Sequence, residues 1–382
     1  MLYTTVICPA TTNAGWYTSI DLEMLVLGGK AIWGGHLGQV YMDRGLYALP
    51  LSLFVMAPVV GLVGHWHVPN APEPDRFLIY GPYILSLGVL ALHAARGLAW
   101  DLGLRRRLWS VQLVTMVLVL IPEYEWGHLE DVLALTFVLY GLRSLLGAKY
   151  VQASVMLSLA IASKEWAVML VPIFVLAAPA GQRMKSLFAA CALPALLVGV
   201  FMGFDFHDTL RNLTSPVTDV TGATGHPWID GNWLGAHSSV VNRSAATVLA
   251  GLVSWRRRSL VLPFEIMGTV GLILMIRPLT ETINYSYYWS PGLLILAISA
   301  MSWRGRFKAK DWIWPMAALV WTLPRSNDLT AMLWWAGELV LLAMVAVHAA
   351  TVGGFVGQGA QMDSGSGPDP AGHLTAELSG TR

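Results

Sequence analysis

An all-α, polytopic transmembrane helical bundle is the fold class this chain predicts, and three observations predict it. The 382 residues are 55% hydrophobic and only 12% charged, whereas a soluble domain carries about 25% charged residues. Mean hydropathy is +0.57, and there are 17 tryptophans. The apolar runs are mostly long enough to cross a bilayer.

The same composition narrows the partners. A formal net charge of +1 carries no signal for nucleic acid, and the lipid bilayer is the expected surroundings. The basic runs at 105–107 ("RRR") and 255–258 ("WRRR") stand at span ends and read as topology signals. Cys8 and Cys191 are too few for a disulfide framework. The opening "MLYTTVICPATTNAGWY" has neither the basic start nor the sustained apolar core of a secretory signal.

Taken in order, the predicted spans lie near 77–97, 108–122, 128–147, 150–163, 165–179, 184–203, 240–255, 259–277, 286–302, 310–324 and 329–353, about eleven in all. The two beside Lys164 are short and read as tilted halves or a bent hairpin. Segment 46–64 is apolar but carries Pro50 and Pro58, so it is placed at the interface rather than counted as a crossing. Residues 1–353 form the membrane domain. Residues 354–382, rich in Gly, Ser, Pro and Asp, read as a disordered cytoplasmic tail. No internal repeat of the transporter kind is visible.

Positive charge orients the spans. Arg105–Arg107, Arg143 with Lys149, Arg183 with Lys185, Arg256–Arg258 and "WRGRFKAK" at 303–310 fall on one side, which is cytoplasmic. The opposite side receives residues 1–76, the 123–128 turn, Lys164, the loop 204–239, the 277–285 turn and Arg325. That side therefore collects Asp21, Glu23, His128, Glu130, Asp131, Lys164 and Arg277.

Each of these has a structural and a chemical reading. Asp21 opens an apolar-periodic stretch, as a helix cap or first-turn acid does. It also suits a general base at a lipid-bordered cleft, where shielding from water favours proton uptake. In "GHLED", His128 and Asp131 are three apart and share a helix face, with Glu130 expected to point elsewhere. A helix N-terminus favours the acids but does not call for the histidine. Metal ligation there has little support without a further cluster. Lys164 either snorkels to the interface paired with Glu165 or presents a cation to a phosphate. A charge at the centre of a membrane helix costs about 2.5–3.5 kcal/mol on insertion scales. Arg277 suits bidentate phosphate binding. Tyr285, Tyr287, Tyr288 and Trp289 fit an interfacial aromatic belt. Glu265 and Glu338 lie within spans and read as interhelical polar contacts. The loop 204–239, with His207, Asp208, His226, Asp230 and His237, is polar, turn-rich and long enough to serve as a lid or binding loop.

Three stretches carry a family resemblance. They are Asp21 followed by "GGKAIWGGHLGQVY" and "LYALP…MAP"; "GHLEDVLALTFVLYGLR" followed by "LSLAIASKEWAVMLVP"; and "RPLTETINYSYYWSPG". Together they resemble the C-type (GT-C) membrane glycosyltransferases, in particular the polyprenol-phosphate-mannose-dependent mannosyltransferases. The resemblance spans roughly 21–180 and 277–292. It implies a many-helix fold with interfacial helices in the first outer loop, and an acid of that loop as catalytic base, which maps to Asp21. Two features depart from the family. A helix precedes the acid there, whereas twenty residues precede it here. Gly127–His128 stands where the family often has Gly-Gln.

The resulting expectation is an enzyme of the cell membrane with its site on the extracytoplasmic side. It transfers a single sugar, mannose by the resemblance, from a polyprenyl-phosphate donor to a lipid or glycan acceptor. Asp21 is the base; His128, Glu130, Asp131, Lys164, Arg277, Tyr287 and Tyr288 bind substrate. No cofactor or metal is called for. The alternatives are a multi-span transporter or lipid flippase, and a non-catalytic membrane partner.

Overall fold

The structure is a computed structural model. It describes residues 20–42, 48–65, 73–120, 127–214, 224–225, 238–258, 263–280, 283–284 and 286–302. These residues are helical apart from their connections and one two-residue antiparallel ladder, Thr224–Gly225 against Ile283–Asn284. The all-α class holds. The spans expected at 310–324 and 329–353 and the tail lie outside the described residues.

In chain order the helices are α1 (Ile20–Trp33), α2 (Pro50–His65), α3 (Glu73–Asp101), α4 (Leu108–Thr115), α5 (Leu129–Leu146), α6 (Tyr150–Ser163), α7 (Val171–Ala177), α8 (Arg183–Phe204), α9 (Phe206–Thr214), α10 (Ser238–Arg256), α11 (Pro263–Thr280) and α12 (Ser290–Ser302). A π-helical turn, Met116–Leu120, continues α4. A 3₁₀ turn, Glu165–Leu170, leads into α7.

Two expectations change. Segment 46–64 is not broken by its prolines. Pro50 opens α2, where its missing N–H is no loss, and Pro58 is carried inside the helix. The loop 204–239 is not structureless, because its first part folds as α9.

α1 and α2 lie side by side in parallel. A Cβ on Gly29 would meet Met56 and Ala57 at 3.2 Å, and one on Gly61 would enter the Trp33 ring. The two contacts keep nearly the same offset along both helices, so the chain between them must travel back the length of α1. Tyr41 closes that return. Its hydroxyl donates to Ala48 O at 3.0 Å, and its ring meets Phe201 edge-on at 5.4 Å. Burial pushes its hydroxyl pKa far above the ordinary value, so the donor stays protonated.

α5 and α6 pack closely at Gly141, where an added Cβ would stand 3.1 Å from Phe174 and 3.3 Å from Ala153 O. α11 and α12 approach likewise through Gly271 and Gly292. Small residues at a helix interface let the two backbones approach closely. Among the described residues one segment, Ala180–Phe204, is long and apolar enough to cross a membrane. α5 carries Glu130, Asp131 and Arg143 within its 18 residues, which lowers its apolar character without shortening it.

The helices also sort their ends. α5 begins at Leu129 and α6 ends at Ser163, so these two termini meet. At the far end of α5, Arg143 Nε donates to Asp101 of α3 at 2.8 Å. Arg107 Nη1 donates to Met301 O at the end of α12 at 2.9 Å. Asp131 and Arg143 are about 18 Å apart along the α5 axis, at 1.5 Å per residue.

Candidate functional site

Gly127 starts the site. Its φ of +76° is a left-handed conformation that costs a side-chain-bearing residue roughly 1–2 kcal/mol. The turn delivers His128 as the residue before α5, with non-helical φ −83° and ψ 68°. Glu130 and Asp131 then occupy the first turn, where the helix dipole favours acids.

Three chain segments converge here. Lys164 sits in an extended break between α6 and the 3₁₀ turn, so the two short stretches beside it form a bent hairpin. Ser52 Oγ of α2 donates to Ser163 O at 3.1 Å and ties down that break. Lys164 Nζ lies 2.9 Å from Glu130 Oε1 and 3.6 Å from Asp131 Oδ2. Arg277, near the end of α11, reaches Asp131 Oδ1 at 3.3 Å and lies 3.9 Å over the Tyr288 ring. Trp166 donates its indole N–H to Asp131 Oδ1.

All five ionisable members are buried: His128, Glu130, Asp131, Lys164 and Arg277 are 1–7% exposed. Among the described residues no other Asp, Glu, Lys, Arg or His is buried. Breaking such a pair by removing one partner typically costs about 3–5 kcal/mol. Glu130 Oε2 is buried without a hydrogen-bond partner, so one carboxylate oxygen is left to accept from whatever enters.

The His128 expectation needs correcting. Its Nδ1 stands 2.8 Å from Glu130 Oε1 and 3.8 Å from Asp131 Oδ2, so Glu130, not Asp131, is the nearer partner. The i,i+3 rule applies to two helical residues, and His128 precedes the helix. A carboxylate only accepts, so this contact places a proton on Nδ1.

His128, Glu130 and Asp131 have ligand atoms within 4.8 Å of one another, a spacing that suits a metal ion. Lys164 and Arg277 already supply positive charge to the same oxygens. A divalent ion there would share these carboxylates with the Lys164 ammonium and the Arg277 guanidinium.

The remaining candidates divide. Asp21 falls in the first turn of α1, and its side chain lies outside the described residues. So does that of Tyr287, whose backbone joins the 3₁₀ turn Ser286–Trp289 beside Tyr288. His226, Asp230, His237 and Glu338 lie outside as well. His207 is on α9 with its ring exposed, 3.4 Å from Asp208. Glu265 is half-buried in the first turn of α11, away from the Arg277 end.

Two participants escape the sequence reading. Trp166 gave no signal beyond its place after Lys164 and Glu165. Arg243, in the second turn of α10, lies near enough for its charge to act on Glu165, as do Lys164 and Arg277. A lone arginine entering the apolar run "SAATVLAGLV" was the available hint. No family model matches the chain, and no curated protein matches it in sequence.

Proposed function

We propose that the protein is a polytopic membrane glycosyltransferase of GT-C type, with about eleven spans and an extracytoplasmic site. It moves one sugar from a polyprenyl-phosphate donor to a lipid or glycan acceptor. The observation that carries this reading is the convergence of His128, Glu130, Asp131, Lys164 and Arg277, from three separate segments, on one buried constellation at one end of the bundle. Exposed apolar side chains on α3, α4, α8 and α10, among them Val89, Trp109, Phe188 and Leu252, support a lipid surround.

In this reading Asp21 takes the proton from the acceptor hydroxyl. The freed oxygen attacks the anomeric carbon, and the carbon–oxygen bond to phosphate breaks with its electron pair passing to the phosphate. The family resemblance implies inversion at that carbon. Lys164 and Arg277 meet the growing phosphate charge. Glu130 and Asp131 hold both cations in place beforehand, and preorganised charge needs no reorganisation at the moment of reaction. Glu130 Oε2 accepts a hydroxyl of the ligand.

A transporter or flippase path would carry polar charge at several depths. The confinement of the described buried charges to one end favours the enzyme. The test is transfer of labelled mannose from a synthetic polyprenyl phosphate by wild type and Asp21→Asn. Loss of a general base typically costs about 10²–10⁴-fold, and that loss with donor binding retained is the expected result. Near-normal transfer by a folded Asp21→Asn protein would remove Asp21 from the mechanism.

A further inference from the structure

α9 is built inside out. Phe206, Leu210 and Leu213 recur at spacings of four and three and so share one stripe; Phe206 is 62% exposed and Leu210 39%, with Leu213 half-buried at its edge. The side turned to the protein is polar: Thr209, at the edge of that stripe, is 1% exposed and Asn212, farther round, 2%. Asn212 donates its amide N–H to Tyr41 O and also, at 3.1 Å, to Asp208 O. Arg211 pairs with Asp208 at 2.9 Å and reaches Met42 O at 3.5 Å. In water the faces would turn the other way, because burying a large apolar side chain is worth roughly 1.5–3 kcal/mol.

The neighbouring surface says what covers the outward stripe. Leu196, Val200 and Phe204 form an exposed stripe at i+4 spacing along α8, the helix within the segment long and apolar enough to cross a membrane. Only 11% of that apolar window is buried in the protein. α9 starts two residues after Phe204, past Asp205, whose carboxylate accepts from the Asp208 N–H at 2.9 Å. The apolar surface therefore continues from α8 around the bend into Phe206 and Leu210.

We propose that α9 is an interfacial helix that seats Phe206 and Leu210 in the acyl–headgroup boundary of the bilayer at the end of the α8 span. Amphipathic helices lie in that plane with their apolar face buried roughly 5–10 Å. Through Asn212 and Arg211 the helix then fixes the depth of the Tyr41–Met42 turn, and with it the return between α1 and α2. This inference rests on α8 spanning the membrane, not on sugar transfer.

The test uses the full chain with Cys8→Ser and Cys191→Ser, reconstituted in phosphatidylcholine–phosphatidylglycerol vesicles. Leu210→Cys, Phe206→Cys, His207→Cys and Leu196→Cys are each labelled with a small fluorophore. Quenching by nitroxide lipids, shallow or deep, is compared with quenching by aqueous iodide. The expected result is shallow-lipid quenching at 206 and 210 several-fold above iodide, iodide quenching at 207, and deep-lipid quenching at 196. Iodide quenching at 210 as strong as at 207 overturns the proposal. So does shielding of 210 from both quenchers in a protein that runs as a dimer, which would assign the face to a second copy. If 196 escapes lipid quenching too, the membrane reading of α8 fails with it. If 196 is quenched and 210 is not, α9 alone is misassigned.

Discussion

Removing the Lys164 ammonium leaves two buried carboxylates against the Arg277 guanidinium and whatever charge His128 carries. Lys164→Met is therefore expected to destabilise the protein by about 3–5 kcal/mol, read as a lowered thermal midpoint in detergent. The partner that restores stability identifies the pairing. Glu130→Gln, combined with Lys164→Met, should recover more than half of the loss, because Glu130 Oε1 is the nearest acceptor at 2.9 Å. Glu165→Gln in the same background should recover less. Equal rescue by both, or better rescue by Glu165→Gln, would contradict the geometry. The residues of the site were legible in the sequence because charges stand out against apolar helices. Their pairing was not. Lys164 has Glu165 beside it in the chain, and only the packing of α5 against α6 brings Glu130, 34 positions away, closer to its ammonium.

Helix ends set the positions of these charges, and one end carries a visible strain. α5 closes with Lys149 N donating to Ser144 O at 2.8 Å and Ala148 N to Leu145 O at 3.0 Å. That pattern places the residue after Gly147 in the left-handed region, and Ala148 has φ +57°. Glycine takes this conformation without the Cβ penalty. Ala148 is exposed, so Ala148→Gly loses no packing and is expected to raise stability by about 0.5–1.5 kcal/mol. An unchanged or lower thermal midpoint would show that the turn is not held as described. Elements bounded by charge or glycine were legible to within a residue or two: α6 matches its expected 150–163, and α5 its expected 128–147 nearly so. Elements that depend on their surroundings were not. α9 hides because its polar face is the buried one, and α2 because proline's local cost is outweighed by packing on α1 and on α6.

At the scale of the whole molecule, the charge distribution and the helix ends agree on two sides. The Arg143–Asp101 pair and the Arg107 contact to Met301 O gather at one end of the described bundle, and the buried constellation forms at the other. Under the proposed topology, cations on the first side fit the bias toward cytoplasmic Lys and Arg. Lys164 and Arg277 on the second side have no such explanation and are instead tied to carboxylates. Under the proposed function, the protein acts on a substrate presented at one membrane face and releases a chemically altered product. A carrier returns the same molecule on the other face. The most direct test of sugar transfer is therefore made in sealed proteoliposomes containing wild-type protein, a polyprenyl-phosphate donor with labelled mannose, and membrane lipid as acceptor. After incubation the lipids are separated and the position of the label determined. Label is expected in a lipid or glycan species distinct from the donor, with free polyprenyl phosphate formed in equal amount. Label that stays entirely on intact donor while the donor changes leaflet would contradict it and assign the buried charges to a transport path.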